Sequence, residues 1–187
     1  MRRVSNLRGS VGLAILLALS FSLAGCGGGG GGSSGGSLID QDMAVTTFLI
    51  VEERPNGDYV QIGGPDSTNV LRDARLLITF NTAIDLDSVN DRTLRVGIPT
   101  GGGLFEKAVG IYYHPVDSSG QQIRNQILFN PTYSTEGPVA DNPEGFEGLA
   151  VYQVIIPSVL NSNTYVTNLV GDGIVTDYNA TFETGSD

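Results

Sequence analysis

One thiol, one imidazole and a few groups of carboxylates and phenols are the side chains in this chain whose types and spacing could do chemistry. Cys26 is the only cysteine, and it follows Leu23, Ala24 and Gly25. A thiolate is a strong nucleophile, and the slim side chains before it leave the preceding peptide bond open to a peptidase. The glycines that follow give Cys26 nothing to pack against, so the chemistry it supports is covalent modification and not a buried structural role. His114 is the sole histidine, so a His-based triad would need it. It lies in an alternating strand pattern beside Pro115, and the chain carries no Gly-x-Ser-x-Gly elbow. We read His114 as a surface or half-buried strand residue. One His and one Cys fall short of the four ligands of a structural zinc site, so neither a catalytic nor a metal-ligating residue is assigned and no cofactor is expected.

Oxygen ligands are the less remote metal chemistry. Asp85, Asp87, Asn90 and Asp91 place four hard donors within seven residues, but without the glycine at position six and the later bidentate Glu of a calcium loop. Their plainer reading is a turn whose acids cap a short helix and face water. Glu136, Asp141, Glu144 and Glu147 form a second acidic group in a loop, with the same reading. A carboxylate pair for glycoside hydrolysis needs a separation of roughly 5–10 Å in a cleft, which spacing along the chain does not encode. Tyr112, Tyr113 and Tyr133 would suit stacking on a sugar; against this, alternating tyrosines are commonly strand residues on opposite faces.

The segment before the thiol reads as an export signal. Arg2, Arg3 and Arg8 make a positive start without an acid, and Val11 to Ala24 is apolar apart from Gly12, Ser20 and Ser22. That is the tripartite secretory pattern. A transmembrane span needs ~20 apolar residues to cross ~30 Å of hydrocarbon, and this run ends sooner, at a glycine tract. Gly27 to Ser37 are all Gly or Ser, with no side chain able to support a core. Such a run behaves as a flexible coil with a dimension of roughly 18 Å and a full stretch of about 37 Å. A phosphate-cradling loop is disfavoured, because no Lys-Ser/Thr follows it and no strand precedes it.

Leu23-Ala24-Gly25-Cys26 resembles the lipobox of bacterial lipoproteins. The resemblance implies removal of residues 1–25, a diacylglyceryl group on the Cys26 sulfur and acylation of the new amino terminus. It makes Cys26 the lipid-attachment residue and the membrane a partner through covalent lipid. By the same analogy Gly27, in place of an Asp, points to outer-membrane sorting in a diderm cell, with the domain on the periplasmic or surface face.

Beyond the signal, seven basic residues stand against twenty acidic ones, a net charge of −13. That balance argues against nucleic acid and against electrostatic adhesion to anionic lipid. With its only cysteine lipidated, the chain has no disulfide, and packing must stabilise it. About 160 residues suffice for one domain, which divides the chain into residues 1–25 as signal, 26–43 as lipidated Cys and tether, and 44–187 as the folded body.

That body reads as strands throughout. Val45 to Val51 is apolar and β-branched, and Asn56-Gly57-Asp58 turns it toward Tyr59 to Ile62 as a hairpin. Leu76, Ile78 and Phe80 alternate with Arg75, Leu77 and Thr79, the period of a strand on a core. Asp87 or Ser88 caps one helical turn. Thr93 to Ile98, Leu104 to Val116, Gln122 to Phe129, Leu149 to Ile156 and Ala180 to Thr184 follow as strands, with a second hairpin at Asp117-Ser118-Ser119-Gly120. Pro131 to Gly148 has the Pro, Gly and acid content of a loop. Short strands divided by Gly, Pro and Asn turns, without a helical apolar period, imply an all-β antiparallel sandwich or barrel.

The order of these segments resembles the SbsA-type bacterial immunoglobulin-like domain over roughly Phe48 to Gly185. The carrying stretches are Pro65-Asp66-Ser67-Thr68-Asn69-Val70, Leu76-Leu77-Ile78-Thr79-Phe80-Asn81 with Ile84-Asp85, Ile127-Leu128-Phe129-Asn130-Pro131, Tyr152-Gln153-Val154-Ile155-Ile156-Pro157 and Ala180-Thr181-Phe182-Glu183-Thr184-Gly185. The resemblance implies an immunoglobulin-like β-sandwich of about seven to nine strands, with Tyr152 where such folds tie strand to corner. It also implies a non-catalytic envelope module with a structural or adhesive role, touching an envelope protein or glycan through its end loops, especially Pro131 to Gly148. The alternatives are a carbohydrate-binding surface lipoprotein and an N-terminal accessory module of a larger exported protein.

Overall fold

Alternation decides the layers. In the computed structural model, which describes residues 42–102, 104–132 and 145–186, Leu76, Ile78 and Phe80 of strand β4 (Arg75–Phe80) are buried while their neighbours are only partly so. β9 (Val151–Ile156) does the same with Tyr152, Val154 and Ile156. Side chains of period two need a second apolar layer to cover them. That layer exists: one five-stranded sheet has the order β2-β1-β4-β8-β7 and the other β3-β10-β9-β5-β6. The remaining strands are β1 (Val45–Glu53), β2 (Tyr59–Gly63), β3 (Ser67–Val70), β5 (Arg95–Gly101), β6 (Leu104–Lys107), β7 (Gly110–Tyr113), β8 (Gln126–Pro131) and β10 (Tyr178–Thr184). The signal segment, Cys26 and the tether up to residue 41 lie outside the described residues, as do Tyr133, Glu136, Asp141 and Glu144.

Set β2 aside and the first sheet reads, in immunoglobulin lettering, A-B-E-D as β1-β4-β8-β7. The second then carries G-F-C as β10-β9-β5. The chain is therefore an immunoglobulin-like sandwich, all-β, with ten strands among the described residues. Nine or fewer were expected because Ser67-Thr68-Asn69 of β3 is polar and short. It pairs parallel with β10 through Phe182 and Thr184, and positive φ at Asp66 and Asn69 shapes its ends. The other ladders are antiparallel.

The predicted hairpin at Asn56-Gly57 joins β1 to β2, with Gly57 at φ 83°. Leu104 to Val116 holds two strands, β6 and β7, one in each sheet. The helical turn is a 3₁₀ turn over Leu86–Ser88, and its cap is Asp85, whose carboxylate accepts from the Asp87 N–H. Asp87 and Ser88 lie inside the turn instead, because the chain leaves extended geometry at Asp85. Asp117 closes the turn before β8, its Oδ1 accepting from Ser119 and Gln121 N–H.

At the centre the rings of Phe129, Phe146, Tyr152 and Phe182 meet, with centroids 4.7 Å apart for Phe146–Tyr152 and 5.1 Å for Phe146–Phe182. Tyr152, the second residue of strand F, accepts a 2.8 Å hydrogen bond at its hydroxyl from the Glu147 N–H. This is the tyrosine corner that the resemblance implied. Burial raises the Tyr152 phenol to about 12 and pushes those of Tyr112 and Tyr178 up as well.

A raised phenol has a definite sign in the stability. The unfolded chain releases the proton near 10 and the folded one later, so the contribution is complete below pH 10 and lost as pH rises past it. Each such tyrosine contributes a slope of at most about 1.4 kcal/mol per pH unit. Melting temperature is expected to fall steadily above about pH 10, measured by circular dichroism; a flat profile up to about pH 12 contradicts this burial.

Candidate functional site

The antiparallel ladders place two sets of loops at opposite ends. Val45 pairs with Phe80 and Tyr178 with Ile156. The residues joining the sandwich at Asp42–Met43, the β4–β5 loop and the β9–β10 loop therefore share one end. Met43 bridges to Ile174 and Ile84 to Asn168 there. Gly110 pairs with Pro131 at the other end, where the β1–β2 hairpin and the long β8–β9 loop leave the sheets.

At the first end the long β9–β10 loop, residues 157–177, is tied down by hydrogen bonds. Ser88 Oγ donates to Asp85 O and accepts from Thr167 N–H at 2.9 Å, and Asp85 N–H donates to Thr167 O at 2.9 Å. Thr93 Oγ1 donates to Ser88 O at 2.7 Å and accepts from the Asn90 N–H. Asp177 accepts from the Ser158 N–H at 2.6 Å and from Asn161 Nδ2 at 2.9 Å.

Between these loops and the edge of the second sheet lies a cleft of about 490 Å³. Its charged lining is Arg92, Arg95 and Lys107 with Asp91 and Asp177, and Asn161, Ser162 and Thr164 add amide and hydroxyl groups. Three of the seven cations beyond residue 25 thus meet in one place. Asp91 is ion-paired with Lys107, whose hydrogen bond holds its carboxyl below the usual range. The Ser158 amide, foremost among several donors, does the same for Asp177. The cleft thus presents hydrogen-bonding groups and charges of both signs, the chemistry that suits a polar ligand.

Asp177→Ala is expected to free the loop while leaving the core intact. Amide exchange at Ser158 and proteolysis within residues 157–177 should rise, as measured by exchange mass spectrometry; unchanged protection at Ser158 contradicts the role. Because the Asp177 carboxyl is held below 3.8, the tie is complete above that value and is lost as pH falls below it.

The residues singled out by type are scattered. Asp85 caps the 3₁₀ turn, Asn90 Oδ1 accepts from the Arg92 N–H and Asp91 takes Lys107, so the acids of this loop act as caps and partners. Among the described residues no three His, Cys, Asp or Glu side chains are placed to hold a metal ion. His114 is buried just past β7, contrary to a surface or half-buried strand position. Its Nδ1 lies 2.8 Å from Gln126 O, a carbonyl that accepts the bond and draws the ring inward. Tyr112 points into the core against Phe129 and donates to Leu94 O. Tyr113 faces outward and accepts from Arg75, so the two do not form one stacking surface. Glu147, the described member of the second acidic group, engages Tyr152 through its backbone.

Sequence reasoning missed the grouping of Arg92, Arg95 and Lys107. Lys107 reaches Arg95's strand only because β6 folds back to pair Gly97 with Lys107. The scarcity of cations outside the signal was the available clue. Comparison with protein-family models, curated proteins and solved structures returns no match to this chain.

Proposed function

We propose that this chain is an exported lipoprotein of the cell envelope, held by lipid on Cys26, whose immunoglobulin-like body serves a structural or adhesive role without catalysis. One observation carries the reading: the sole cysteine stands at the end of an apolar, Arg-led segment and is joined to a β-sandwich starting near Asp42 by a run of Gly and Ser. Among the described residues no helix is long and apolar enough to cross a membrane, so the reading asks the lipid alone to hold the domain. Acyl chains contribute ~0.8 kcal/mol per buried CH₂, and two or more anchor stably.

The mechanism is positional. A sandwich without a disulfide still presents fixed ends, because its register is set by two packed apolar faces. The end bearing the β8–β9 loop lies opposite the one where Asp42 and Met43 enter the sandwich, and it is offered to an envelope protein or glycan. Fractionation of the full chain tests the proposal. It should sediment with membranes, resist high salt and alkaline carbonate, and dissolve in detergent; recovery in the soluble fraction overturns it.

A further inference from the structure

We infer that the end of the sandwich carrying the β9–β10 loop seats on the bilayer surface, with Leu169 and Val170 as its apolar contacts. The inference rests on the lipid-anchor reading above and adds an orientation to it. The two side chains are 58% and 80% exposed, and Leu160 on the same loop is 78% exposed. Apolar side chains scattered singly on a surface are ordinary. These two are adjacent and held out by a built turn.

Asn168, only 9% exposed, accepts at Oδ1 from the Val170 and Asp172 N–H groups at 3.0 and 2.8 Å, and its Nδ2 donates to Asp172 Oδ2. Gly171, at φ 96°, donates its N–H to Asn168 O, and Asn168 N–H donates to Asp172 O. Thr167 bridges to Gly173 behind the turn. The backbone freedom that a contact must freeze is therefore already removed, a usual route to a useful contact from few side chains.

The occupant follows from where the tether joins. Met43 is bridged to Ile174, and Asp42 and Met43 line a second cavity with Gly171, Asp172 and Gly173. The chain that precedes Asp42 therefore enters the sandwich next to this turn. A coil of roughly 18 Å holds the turn near the surface at an effective concentration of order millimolar, enough to populate a contact too weak to act alone. Facing the other end to the lipid would require the tether to run the length of β1 as well, about 30 Å at ~3.3 Å per residue. That consumes most of its stretch. Arg92 and Arg95 lie at the same end, but Lys107 is paired with Asp91, and Asp177, Asp42 and Asp172 add negative charge, so apolar contact is the main attraction.

The test uses full, lipidated chains in vesicles of phosphatidylethanolamine with phosphatidylglycerol, spin-labelled at Leu169→Cys or, at the opposite end, at Asn56→Cys. Cys26 is occupied by lipid and does not compete for label. The label at 169 should report a depth of about 5–10 Å within the headgroup and acyl boundary, and the label at 56 should report water. A floating chain whose 169 label is as accessible to a polar relaxant as the 56 label overturns the orientation and leaves the anchor standing. Protection of 169 in whole envelopes but not in pure lipid assigns the turn to a protein partner and overturns the bilayer contact. A chain that fails to float overturns the anchor reading and this inference with it.

Discussion

Replacing Phe146 by alanine is expected to lower the unfolding free energy by about 3–5 kcal/mol, the range for removing a buried ring. Phe146 is 1% exposed and touches Phe129, Tyr152 and Phe182. It is also where the long β8–β9 connection returns to the body. Its N–H donates to Arg72 O at 2.7 Å, and Arg72 Nε donates to its carbonyl at 2.8 Å. The preceding Gly145, at φ 115°, lets the backbone pass the Arg72 carbonyl, where a Cβ would collide. The backbone is thus pinned and cannot slide to fill the space, which keeps the cost at the upper part of the range. Domains of this size have a total stability of roughly 5–15 kcal/mol, so the variant should be close to unfolding at growth temperature. Urea titration at constant m-value measures it. A loss below about 1 kcal/mol would mean the site collapses freely, contrary to the pinned geometry.

The second large effect is on location and leaves the fold unchanged. Cys26→Ala removes the only thiol, hence every thioether-linked acyl chain. At ~0.8 kcal/mol per CH₂ this shifts the membrane partition by many orders of magnitude. The variant is expected in the soluble fraction, or as an uncleaved precursor that still holds residues 1–25. Its melting temperature should match that of the parent, because Cys26 stands sixteen positions before Asp42. Immunoblotting of membrane and soluble fractions decides. Undiminished, detergent-dependent membrane association of the processed variant places the anchor elsewhere.

Much of the fold was legible because its strands alternate cleanly. Leu76-Ile78-Phe80 and Tyr152-Val154-Ile156 announced both their period and their inward face, and Asn56-Gly57 announced a hairpin. The tyrosine corner was legible only through the resemblance to immunoglobulin-like domains, which put a tyrosine near the start of strand F. β3 was not, because a polar strand held by a parallel partner from the far end of the chain has no local signature. The buried position of His114 likewise depends on Gln126, twelve residues on. The cleft was illegible for the same reason: its cations come from a loop, a strand start and a strand end that meet only once the second sheet is paired. The Pro131 to Gly148 loop, expected to be the foremost contact region, lies mostly outside the described residues.

The central claim is the lipid on one sulfur, and intact-mass analysis of the mature amino terminus from the native host tests it most directly. The account predicts a chain beginning at Cys26, heavier than its sequence by a diacylglyceryl group on sulfur and an acyl group on the terminal nitrogen. An unmodified Cys26 in a soluble protein would contradict it.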